Sequence, residues 1–170
     1  MKIRKISVTA TLLAAMLFPS FGKTTGTAER AYVVNVERVV GGIASYYGKG
    51  TRSDPKPISA LRRFDDFYGS RAWNYFCAMP DTKIRGRPVL TVNRKNGMAA
   101  VVVVADYGPN QRVHPERKID NSDHVAKELE YKRDGVVPSK NYVIKGKIPL
   151  GPIESYRFDS GKRRLTLKYF

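Results

Sequence analysis

Cysteine is almost missing from this chain: Cys77 is the single one in 170 residues. One thiol cannot close an intramolecular disulfide, so a disulfide-stapled scaffold is excluded. Cys77 also lies far beyond the apolar N-terminal segment, which rules it out as the lipid-bearing cysteine that directly follows a lipoprotein signal. Its surroundings, AWNYFCAM, read as core rather than as the setting of a nucleophile. Histidine is scarce, with His114 and His124 alone, and no His, Cys, Asp and Glu set has metal-ligand spacing. No glycine-rich loop has the context that cradles phosphate, and repeats, heptads and low-complexity tracts are absent. Acidic residues are few, 15 against 31 basic, for a net charge of +16. Such an excess points to anionic partners, whether nucleic acid, a membrane face or an acidic wall polymer, and does not by itself choose among them.

Long hydrophobic runs are missing too. The mostly apolar stretch from Ile6 to Phe21 is broken by Pro19 and preceded by Lys2, Arg4 and Lys5 with no acid. It is too short and interrupted for a membrane span and has the form of a secretory signal, with small residues offering cleavage between 22 and 28. Export to the periplasm or exterior is therefore expected, without a lipid anchor and without a membrane span after cleavage. Removing residues 1–22 takes away three basic residues and no acid, which leaves +13. Residues 23–40 read as linker, although AYVVNVERVV within them is either a strand or a partly ordered lead-in.

What is present is strand-and-turn text. Hydrophobic residues make up 42% of the chain, with seven Phe, ten Tyr and one Trp, enough for one packed domain. GGIASYYGKG reads as a strand ending in a turn, TRSDPKPIS as loop, and ALRRFDDFYGSRAWNYF as the site of a short helix. Two strands, Pro88–Val92 and Met98–Ala105, are joined by Asn-Arg-Lys-Asn-Gly, a hairpin signal. Ser122 is placed to cap a helix running to about Tyr131, Asn141–Lys145 reads as a closing strand, and the basic tail 147–170 as a further hairpin. Many short strands with one convincing helix predict an all-β barrel over residues 41–146.

The segment VVVVADYGPNQRVHPERKIDNS carries the functional signal. A β-branched run delivers Asp106 into a Gly-Pro turn, and a loop containing His114 leads to Asp120 just before the helix. Two carboxylates fixed at the ends of rigid elements suit acid–base chemistry on a sugar. The same residues equally suit turn closure at Asp106 and helix capping at Asp120. Tyr46 and Tyr47 are candidates to stack on sugar rings, with alternation burying one of them, and His114 is a candidate relay.

In order along the chain, Ala44-Ser45-Tyr46-Tyr47-Gly48, RPVLTVNRKNG, VVVVADYGP and Ile119-Asp120-Asn121-Ser122 resemble the motifs of the rare lipoprotein A family and its expansin relatives. The resemblance covers about residues 41 to 145. It implies a six-stranded double-psi β-barrel with one or two short helices. It also implies lytic transglycosylation of peptidoglycan or, as in expansin-like members, non-catalytic binding of wall polysaccharide. Asp106 and Asp120 carry over as the catalytic acids. The family's T-A-N-G-E segment is absent here: by spacing from Pro80 its Glu falls on Asp65 and its His on Phe76. The partner so implied is peptidoglycan or another anionic wall glycan. No nucleic-acid partner, metal or cofactor is expected, and the expected state is a monomer.

Overall fold

The computed structural model describes residues 31–47 and 65–170; the side chains of Asp65 and Asp66 lie outside the described set. The expected signal peptide falls entirely outside the described residues. Eight strands dominate: β1 (Ala31–Tyr47), β2 (Phe76–Met79), β3 (Pro88–Asn93), β4 (Ala99–Tyr107), β5 (Arg117–Ser122), β6 (Val136–Ile144), β7 (Gly151–Asp159) and β8 (Arg164–Tyr169). Two short helices, α1 (Asp65–Tyr68) and α2 (Asp123–Glu128), and two 3₁₀ turns, Gly69–Trp73 and Thr82–Ile84, complete the described elements. The all-β barrel expected from the sequence is the architecture found.

The strands form one sheet in the order β2-β5-β1-β6-β3-β4-β7-β8, and two further pairings close it twice. Pairing of β2 with β4 closes β2, β5, β1, β6, β3 and β4 into a ring of six. Pairing of β1 with β8 closes β1, β6, β3, β4, β7 and β8 into a second ring that shares four strands with the first. Two strands act as forks. Along β1, residues 31–35 pair with β8 and residues 43–47 with β5, while the middle pairs with β6. Along β4, residues 99–101 pair with β7 and residues 103–107 with β2.

This double closure explains the run AAVVVVA. Ala99, Val101, Val103 and Ala105 enter one core cluster with Leu165 and Leu167 of β8. Ala100, Val102 and Val104 enter the other with Ile119 and Val143. A strand buried on both faces needs no polar alternation, hence a continuous apolar run. Residues 31–40 correct the sequence-based expectation of a linker from 23 to 40: they are the first half of β1, with Val36 3% exposed. The tail 147–170 is a hairpin as expected, but it is integral, supplying Ile148, Leu150, Ile153, Leu165 and Leu167 to the core. The hydrophobic period places these residues inside; nothing local says that β8 returns to the start of the chain.

Candidate functional site

β5 lies between β1 and β2, and the register aligns one residue from each of four neighbouring strands. Ser45 of β1 stands opposite Asp120 of β5, Asp120 opposite Ala78 of β2, and Ala78 opposite Asp106 of β4. Ala44, Cys77 and Ile119 point into a core cluster. Their neighbours Ser45, Ala78 and Asp120 therefore stand on the other face of the strands. At about 4.8 Å between adjacent strands, the backbones of Asp106 and Asp120 lie roughly 10 Å apart with Ala78 between them. The floor between the acids is built of small residues. A Cβ added at Gly108 would lie 3.5 Å from the Ala78 Cβ and 3.7 Å from Asp120 Oδ2.

The alignment depends on close backbone approach. Ile43 N donates to the Glu116 carbonyl at 3.0 Å, and a Cβ at Gly42 would fall 2.8 Å from that same oxygen. Only glycine lets β1 run this near the end of the loop before β5. The register of β1 on β5 shifts between Ile43 and Ala44, and Ser45 then meets Asp120.

Asp120 is half-buried, and its environment sets its protonation. Burial pushes the carboxyl above its ordinary range as the largest effect; the hydrogen bond from Ser45 and the charges of Arg117 and His114 act against it. Ser45 Oγ donates to Asp120 Oδ1. The capping alternative falls to a different residue, since Ser122 accepts from Val125 N at 3.3 Å and also donates to the Asn74 carbonyl. Asp106 accepts from the Tyr107 amide at 2.8 Å, and its Oδ1 stands 3.8 Å from Arg85 Nη2. It thus closes its own turn while its carboxylate remains 22% exposed at the strand end.

Beneath the row is a buried polar network. Tyr131 donates to the Ser45 carbonyl at 3.0 Å and accepts from Asn121 Nδ2 at 3.0 Å. Asn121 also reaches Thr91 Oγ1 at 3.4 Å. Burial drives the Tyr131 hydroxyl far above its ordinary range and raises the Cys77 thiol well above its own. Both groups stay neutral, and Cys77, fully buried, matches the core role read from its sequence context.

The remaining candidates are distributed around this row. His114 sits in the loop before β5, its Nδ1 3.7 Å from Glu116 Oε1, in a turn tied by Gln111, whose Nε2 donates to the Arg117 carbonyl at 2.6 Å. Tyr46 and Tyr47 flank the site but are both half-buried and packed edge-on, Tyr46 against Tyr131 and Tyr47 against Phe76. Alternation separates their faces without freeing either ring fully. Phe76, at the position of the family histidine, is 3% exposed. Asp65 opens α1, outside the aligned row. Sequence reading missed Arg85 and Arg117 as neighbours of the acids, because their proximity arises from strand pairing rather than spacing. Among the described residues, no group of three His, Cys, Asp or Glu gathers as a metal site, and no helix is long and apolar enough to cross a membrane.

No family model and no curated protein matches the sequence. A solved structure described as "Streptomyces papain inhibitor (SPI)" is similar at 21% identity with a TM-score of 0.42, over 65% of this chain and 97% of that one. At that distance its name transfers nothing to this chain.

Proposed function

We propose that this protein is exported and acts on the glycan strands of the cell wall as a lytic transglycosylase, with Asp120 as acid and then base. The observation that carries the reading is Asp120 itself, a half-buried carboxyl raised above its ordinary range and aligned across Ala78 with Asp106. A raised carboxyl retains its proton closer to neutral pH, which general acid catalysis needs. The segments that resemble the rare lipoprotein A family fall on β1, β3, β4 and β5, the hairpin and the strands around this row.

In the proposed mechanism, protonated Asp120 gives its proton to the glycosidic oxygen as the bond from that oxygen to the sugar C1 breaks. The Asp106 carboxylate stabilises the positive charge that develops at C1. The Asp120 carboxylate then takes the proton of the C6 hydroxyl while O6 bonds to C1, giving a 1,6-anhydro end and restoring the acid. Ser45 orients the Asp120 carboxylate throughout. No water, metal or external redox partner enters the balance.

A second reading has its own support. Phe76 fills the place of the family histidine in the core, and the T-A-N-G-E segment has no counterpart. Those differences favour a non-catalytic, expansin-like module that binds wall polysaccharide. Incubation of the purified protein with sacculi, followed by mass spectrometry for anhydro-muropeptides, separates the two. Release above that of Asp120→Asn supports the enzyme. Binding without release supports the module.

A further inference from the structure

The row of acids is bracketed by cations. Beyond Asp106 stands Arg85, whose Nη2 is 3.8 Å from Asp106 Oδ1 and whose side chain is 44% exposed. Beyond Asp120 stand Arg117 and His114, 32% and 41% exposed, both near enough to favour the charged form of Asp120. A single contact at 3.8 Å leaves most of the five guanidinium donors of Arg85 available to a ligand. Arg117 likewise meets Glu116 at 3.8 Å, through Nε, which leaves the two-pronged end of its guanidinium unused by that contact. The only acids paired to this bracket among the described contacts are Asp106 and Glu116.

The floor between the brackets, Ala78 and Gly108, has no side chain long enough to fill the space over the carboxylates. A glycan crossing that floor would present its ring substituents to Arg85 on one side of the cleaved bond and to Arg117 on the other. A neutral sugar chain gives two guanidinium groups nothing to pair with. A carboxylate on the sugar fits each as a bidentate partner.

We infer that the cleft selects glycan strands bearing carboxylate substituents, read by Arg85 and Arg117 on opposite sides of the acid pair. This inference rests on the glycan-acting reading above and adds its substrate class. The charge of the whole chain, +16, attracts any polyanion, so the local claim must be separated from that background.

The test compares soluble glycan strands prepared from sacculi in two forms, one with native carboxyls and one with carboxyls converted to amides. Dissociation constants are measured at 0.15 M salt for wild type, Arg85→Gln, Arg117→Gln and, as a control that removes one charge elsewhere, Arg157→Gln on β7. Wild type is expected to prefer the carboxylated strand at least tenfold. Either cleft variant is expected to cut that preference by about tenfold, while Arg157→Gln keeps it. The ratio is read because removing Arg85 also alters the neighbourhood of Asp106, which affects both substrates alike. Equal loss of preference in Arg157→Gln, or an unchanged preference in both cleft variants, overturns the inference and leaves general charge attraction. Equal binding of both strands by wild type overturns it while sparing the glycan-acting reading. Binding of neither strand overturns both.

Discussion

Replacing Asp120 by Asn should make the protein more stable at neutral pH and, on the mechanism proposed, inactive. The amide keeps the shape of the carboxyl and an oxygen to accept from Ser45, but it carries no charge to bury. Because the folded-state pKa of Asp120 is raised chiefly by burial, the folded protein holds this proton more tightly than the unfolded chain does. Unfolding therefore becomes easier as pH rises from the ordinary value of 3.8 through the folded-state value, and the penalty stays constant above it. Asp120→Asn removes that penalty and loses only the charge-assisted part of the Ser45 hydrogen bond. The net gain should be on the order of 1 kcal/mol, the size of a typical single-site effect. For a chain of this length that is a rise in Tm of roughly 2–4 °C. At pH 3, where the carboxyl is protonated in both states, the difference should fade. Turnover should drop by about a hundred- to ten-thousandfold, the range for loss of a general acid or base. Thermal melts at pH 7 and pH 3, alongside anhydro-muropeptide release from sacculi, measure both effects. A variant less stable than wild type at pH 7 would refute the burial argument, and one that keeps its turnover would refute the catalytic assignment.

Four further outcomes follow from the same structure. Tyr131→Phe should cost about 1–3 kcal/mol, because it strips Asn121 and the Ser45 carbonyl of a buried partner; a chemical-denaturation midpoint unchanged from wild type would contradict the network. Leu167→Ala, at a fully buried β8 position, should cost about 2–5 kcal/mol, whereas a cost under about 0.5 kcal/mol would make the C-terminal hairpin an appendage. Gly42→Ala should lower turnover more than binding by pushing β1 off the Glu116 carbonyl and misaligning Ser45 with Asp120; equal effects on both would point to general unfolding. Sedimentation with sacculi should weaken steadily between about 0.05 and 0.5 M salt as screening shortens the reach of the positive charge, and salt-indifferent binding would move the contact to apolar and aromatic groups.

The two acids were legible in the sequence because each sits at a boundary that local chemistry marks, Asp106 before Gly-Pro and Asp120 before a Ser-capped helix. The hairpin around Asn-Arg-Lys-Asn-Gly was legible for the same reason, its strands appearing as Pro88–Asn93 and Ala99–Tyr107. What brings the acids into one row was not legible. The pairing of Ala78 with both of them comes from parallel and antiparallel neighbours of β2 distant in sequence, and four apolar residues do not announce which strands they join. The double role of β1 was hidden similarly. Its first half, AYVVNVERVV, alternates apolar with polar residues as a one-sided strand does, yet its partner on β8 lies more than 130 residues away. Arg85 and Arg117 carry no local signature at all, since an arginine beside a turn reads as a solvated charge until the fold places a carboxylate next to it.

The forked strands have a consequence for how the molecule opens. Along β4 the far-side partner changes from β7 to β2 within a few residues, while β3 flanks it throughout residues 99–103. Lifting the C-terminal hairpin away strips β4 at its beginning, and lifting β2 strips it at its end, but neither exposes Val101 to Val103 on both sides. The amides of these central residues should therefore exchange with solvent hydrogen only through global unfolding, at one common and slowest rate. Those of β8 and of β2 should exchange earlier through separate local openings. In a hydrogen-exchange experiment the two rings would then appear as two flaps hinged on a single protected seam, with Asp106 held at the seam's end whichever flap is open.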